Sequence, residues 1–122
     1  MAVIQFHDTL HGFRTGRGAM TASLEVKLLQ QLMDLRVEVL YEILLYLHKA
    51  YDTLECDRCL NFLEAYGVVP WDLLLLRHYW DILAMMAWER GYFATPFKGY
   101  RGVTKGDPLS PTIFNVVVDA VL

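Results

Sequence analysis

Three groups of side chains in this sequence are of types that do chemistry. The first is cationic. Residues 11–18 read HGFRTGRG and set Arg14 and Arg17 among three glycines, while residues 90–106 carry Arg90, Lys98, Arg101 and Lys105 and no acid. Guanidinium forks match paired phosphate oxygens, and an ammonium approaches them as a point charge. A solvated loop surface produces the same pattern, so charge alone leaves both readings open. The second group is Cys56 and Cys59, spaced C-x-x-C. With His48 or His78 they would still lack the second closely spaced pair of a zinc site, and a redox pair needs a thioredoxin-like βαβ setting. Beside Leu60 and Leu63 at helical spacing, Cys59 reads as core. The third group is His7, His11, His48 and His78, which have no serine or cysteine nucleophile at a recognisable spacing. Trp80, Trp88, Tyr92 and Phe93 offer faces on which bases stack, but aromatics at such positions also serve as packing residues.

The elements that must position these groups follow from composition and periodicity. The chain has 122 residues, 55% hydrophobic and 20% charged, with a net charge of −3. That composition excludes collagen-like, disulfide-dense and disordered classes and predicts one domain with a core. The longest apolar stretches, such as Leu73 to Leu76, are far short of a bilayer span, so no membrane association is expected. Residues 1–10 hold Gln5, His7 and Asp8 and no basic stretch before an apolar run. The expectation is an intracellular protein with reduced thiols, its compartment unspecified.

The glycines of 11–18 mark a loop. Leu24, Leu28, Leu32 and Leu35, with Leu29 beside them, predict an amphipathic helix over about 22–35, with Thr21 or Ser23 as its cap. From Val37 to Leu47 the run is apolar except for Glu38 and Glu42, which predicts a central strand covered on both faces. A second helix is predicted from Asp57 to Tyr66, ending at Gly67, and a third from Pro70 to about residue 83. Between Ala84 and Val103, aromatics including Tyr100 alternate with Gly91, Pro96, Gly99 and Gly102, which predicts a hairpin of short strands. Ser110 before Pro111 favours a helix for the β-branched final run. The resulting order of helix, strand, helix, helix, hairpin and helix is an α+β or α/β layered domain.

Three of these stretches together resemble a known family. HGFRTGRG (11–18), LYLHKAYDTL (45–54) and RGVTKGDPLSPTIFN (101–115) are similar, in order and spacing, to the finger and palm blocks of reverse transcriptases of the group II intron and non-LTR retroelement type. The resemblance implies an α+β fold with polymerase-like fingers (about 1–36) and a partial palm (about 37–122), a few-stranded sheet packed with helices. The activity it implies is RNA-directed DNA synthesis, with an RNA template, a DNA primer, deoxynucleoside triphosphates and Mg²⁺ as partners and cofactor. In that chemistry, two Mg²⁺ ions roughly 3.5–4 Å apart clamp the attacking and leaving oxygens, and such hard cations need carboxylates.

This sequence departs from the family at that point. Relatives begin the first palm motif with Asp, and here Tyr46 stands in its place, a phenol with a reference pKa of about 10 and a poor Mg²⁺ ligand at neutral pH. The chain ends at Leu122, before the Asp-Asp hairpin that supplies the family's other two carboxylates. The expectation is therefore no metal site, no catalytic residue and no activity for this chain alone. Asp52, six residues on, would lie about 20 Å along a strand from Tyr46, too far to replace the lost ligand. Tyr51 matches the family's aromatic gate beneath the incoming sugar, with a core aromatic as the alternative. Lys105 replaces the Gln that precedes Gly106-Asp107-Pro108 in relatives and cannot accept a hydrogen bond as that amide does. Gly106 allows close backbone approach, Asp107 and Pro108 turn the chain into the helix, and Arg14, Arg17 and Arg101 are the expected phosphate contacts. Asp to Tyr and Gln to Lys are each single-nucleotide changes, as in a retroelement copy that has decayed. Two further readings stand beside this one. One is a non-catalytic nucleic-acid-binding module, and the other is a protein-interaction module that pairs chains through the open edge of the 39–47 strand.

Overall fold

The glycine-rich start of the sequence becomes a loop that folds onto the helix following it. This is seen in a computed structural model, which describes residues 4–99 and 101–122. The hairpin aromatic Tyr100 lies outside the described residues. The chain divides into two units, one spanning Phe6–His48 and the other containing Lys49–Leu122.

In the Phe6–His48 unit, α1 spans Ala19–Arg36. It starts ahead of the predicted first turn because Gly18 is its N-cap, with the Thr21 hydroxyl accepting the Gly18 N–H at 2.8 Å. The helix closes at Val37, whose backbone is left-handed at φ 56°, and the Val37 and Glu38 N–H groups return to the Asp34 and Met33 carbonyls. A β-branched residue in that conformation is strained. No residue of α1 is buried, and its leucine stripe is open.

The strand predicted over 37–47 does not form. Residues 38–47 have no regular secondary structure, and Leu44 and Tyr46 are 96% and 90% exposed. A strand needs a ladder partner for its backbone N–H and C=O groups and a cover for each apolar face. Neither is present among the described residues of this unit. Without a strand there is no strand edge, so the expected pairing of chains through 39–47 loses its structural basis.

The Lys49–Leu122 unit holds α2 (Cys56–Ala65), α3 (Pro70–Ile82), β1 (Trp88–Glu89), β2 (Tyr92–Phe93) and α4 (Ser110–Val121). Gly67 follows α2 at φ 88°, and Pro70 opens α3. Arg90 and Gly91, both at positive φ, make the tight turn between β1 and β2, the geometry that matches strand twist in two-residue hairpins. One isolated bridge, Met85 to Phe97, extends the hairpin. The prediction of a sheet packed with helices is corrected here. Both strands are exposed, and the sheet pairs only with itself among the described residues. The fold is thus a small α+β arrangement with four helices and a two-stranded antiparallel sheet among the described residues.

The core lies where α2 packs against α4 and α3. Cys59, Leu60 and Leu63 of α2 and Ile113 and Val116 of α4 are buried, as is Val103. The final run is helical, as Ser110-Pro111 signals, with Ser110, Ile113, Asn115 and Val116 buried. Tyr66 donates to the Asp119 carboxylate, which pushes its hydroxyl up to about 12, and Arg77 on α3 reaches Asp57 on α2 at 2.7 Å. No helix among the described residues is long and apolar enough to cross a membrane.

Candidate functional site

Residues 49–54 of the first palm-like stretch and the last palm-like stretch, far apart in sequence, meet within the Lys49–Leu122 unit. Residues 49–53 form a tight turn in which the Asp52 and Thr53 N–H groups return to the Lys49 carbonyl at 3.0 and 3.1 Å. The segment after the hairpin lies against this turn. Gly102 N–H donates to Leu54 O at 2.7 Å, and Val103 N–H donates to Tyr51 O at 2.9 Å. Gly102 sits at φ 90°, and a Cβ there would stand 2.9 Å from Asp52 Cα and 2.9 Å from Tyr51 O. Only glycine fits both the conformation and the approach.

GDPLSP is a closed turn. Gly106 is left-handed at φ 91°, and the Asp107 carboxylate accepts the Leu109 N–H at 2.9 Å. The Asp107 carbonyl accepts the Ser110 N–H, and the Ser110 hydroxyl donates to Thr104 O at 2.6 Å. Tyr79 Oη donates to the other Asp107 oxygen at 2.8 Å, and this bond raises the phenol's pKa. Asp107 therefore holds the entry to α4, the structural task its position suggests.

Beside this junction lies a pocket of about 340 Å³ whose walls include Asp52, Cys56, Trp80, Met85, Arg101 and Lys105. Lys105 Nζ is 3.5 Å from the Asp52 carboxylate, and Arg101 reaches Glu55 at 3.3 Å. Lys98 stands 4.0 Å from Asp81. Three of the four cations in 90–106 are thus met by acids from 52–81, a match that local charge counting cannot see. A phosphate at Arg101 or Lys105 would compete with these carboxylates in an exposed setting, where each pair is worth only about 0–1 kcal/mol. Tyr51, half-buried, packs its ring on Phe114 at 5.2 Å between centroids.

Arg14 and Arg17 lie in the other unit and act within their own loop. Arg14 Nη1 donates to the His7 and Leu10 carbonyls, both at 2.9 Å, and its guanidinium lies over Phe6. Arg17 holds the Asp8 carbonyl and carboxylate. His11 bridges Thr21 at 2.9 Å and Glu25 at 2.5 Å, fastening the loop to α1. Sequence reasoning missed these fastenings, although the Asp8, His11 and Glu25 side chains were the available signal.

The donors do not fit the magnesium site the resemblance implies. Tyr46 is exposed and phenolic, and the Asp52 carboxylate faces Lys105. Among the described residues, no group of three or more His, Cys, Asp or Glu side chains is gathered where it could hold a metal ion. Burial pushes Cys59 up to about 11, with Cys56 adding to the rise, and Cys56 is raised by burial and by Asp57. No protein-family model matches the chain, and no curated protein matches it at a significant level.

Proposed function

We propose that this chain is a finger-and-palm segment of a reverse transcriptase of the group II intron or non-LTR type, and that it does not polymerise by itself. The observation that carries the reading is the junction of the two palm-like stretches. The Gly102 and Val103 N–H groups donate to the Leu54 and Tyr51 carbonyls across some 50 positions of sequence, and Tyr51 of one stretch packs on Phe114 of the other. Two motifs that share one site in the family are in contact here.

In this reading the chain supplies positioning and not metal chemistry. Gly102 lets the turn at 49–53 seat against the GDPLSP segment, Asp107 and Ser110 hold that segment at the start of α4, and Lys105 and Arg101 present cations at the pocket rim. The Tyr46 phenol in the carboxylate position explains the expected loss of nucleotidyl transfer. A second reading, nucleic-acid binding without catalysis, draws on the pocket that groups Trp80 with Arg101 and Lys105, a stacking face beside phosphate partners.

Primer extension on an RNA template tests the first reading. The parent chain is expected to add no nucleotide. A Tyr46→Asp variant joined to the family's Asp-Asp hairpin segment is expected to extend the primer in Mg²⁺. Extension by the parent, or none by the restored chain when it is folded, would refute the proposal. Primer–template binding that weakens steeply with salt, without extension, would select the second reading.

A further inference from the structure

Among the described residues, the leucine stripe of α1 is an ordered apolar surface that the fold leaves open. Leu24, Leu28, Leu32 and Leu35 are 57%, 56%, 41% and 83% exposed. On a helix of 3.6 residues per turn they form one face, bordered by Glu25 and Arg36 on one side and by Lys27 and Asp34 on the other. Gln30, which donates to Glu42 at 2.6 Å, lies on the opposite face, so the 38–47 segment does not cover the leucines.

The borders are self-complementary. Antiparallel helices bring like border to like border, and a two-fold axis crossing α1 between Gln30 and Gln31 sets Glu25 opposite Arg36 of a second copy and Lys27 opposite Asp34. The symmetry repeats both pairs, so every charged residue bordering the stripe meets its opposite. The same axis sets Leu28 of each copy beside Leu32 of the other. A parallel pair would bring two copies of the His11 loop, fastened to Thr21 and Glu25, to the same end, whereas the antiparallel pair separates them and opposes the helix dipoles. We infer that α1 is a homodimerisation surface whose occupant is α1 of a second copy of this chain, packed antiparallel about Gln30 and Gln31.

This inference is independent of the reverse-transcriptase reading, and charge exchange tests it on the full chain by sedimentation velocity over a wide concentration range. The parent is expected to show a monomer–dimer equilibrium. Lys27→Glu and Asp34→Lys each replace two attractive pairs with two repulsive ones and should weaken dimerisation about tenfold or more. The double variant K27E/D34K should recover parental association. An equimolar mixture of the two single variants should form a heterodimer, because each variant then carries the charges the other lacks; a parallel pair would leave repulsive contacts in that mixture. Far-UV circular dichroism should show unchanged helix content in all four proteins. A parent that stays monomeric, single variants that associate as the parent does, or a mixture that fails to pair would overturn the inference.

Discussion

Gly102→Ala tests the contact on which the candidate site depends. The new Cβ would meet Asp52 Cα at 2.9 Å, Tyr51 O at 2.9 Å and Asp52 O at 3.1 Å, all backbone atoms that cannot rotate away. The φ of 90° adds the strain of an L residue in left-handed backbone, about 1–2 kcal/mol. Relief of the clash requires the two segments to part, which loosens the bonds from Gly102 N–H to Leu54 O and from Val103 N–H to Tyr51 O, each contributing about 0.5–1.5 kcal/mol. The total is about 2–5 kcal/mol, a large share of the roughly 5–15 kcal/mol that holds a domain folded. Gly106→Ala is the control. It has nearly the same φ, 91°, but no atom within 4 Å of the added Cβ, so it should lose only the backbone term of about 1–2 kcal/mol. Urea unfolding followed by the fluorescence of Trp71, Trp80 and Trp88, all in this unit, compares the two variants. If both lose the same stability, the close approach of 102 to 51–52 is wrong, and with it the argument that the two stretches form one site.

Two further outcomes follow from strain and burial. Val37→Gly relieves a β-branched residue at φ 56° and should stabilise α1 by up to about 1 kcal/mol, seen as a higher-temperature loss of helical circular dichroism. Unchanged or lower thermal stability would show that Val37 is not the left-handed cap. Cys59 is held neutral in the folded protein, its thiol raised from 9.0 to about 11, so its contribution is complete below pH 9 and is lost as pH rises through about 11. At about 1.4 kcal/mol per unit, the parent should lose on the order of 2 kcal/mol more than Cys59→Ala across that window, measured by urea unfolding at pH 8 and at pH 11. Equal losses would mean that the thiol is not buried.

Much of the helical architecture is legible in the residues alone, because its signals are local. Gly67 after α2, Pro70 at the start of α3, Ser110-Pro111 at the start of α4 and the Arg90-Gly91 turn each act within a few bonds of where they stand. The spacing of Cys59, Leu60 and Leu63 likewise identifies a buried face. The apolar run over 37–47 misleads because β-branched and aromatic composition states only a preference, whereas a strand exists through a partner and a cover that lie elsewhere in the chain. Charge pairing is hidden for the same reason. Local charge counting does not show that folding sets Glu55 and Asp52 beside Arg101 and Lys105, or that Arg14 and Arg17 bond to carbonyls of their own loop. The residues thus determine which segments coil, turn and bear charge, while which groups stay available to another molecule is decided by contacts between distant parts of the chain, since a donor already satisfied within the fold must give up one partner to gain another.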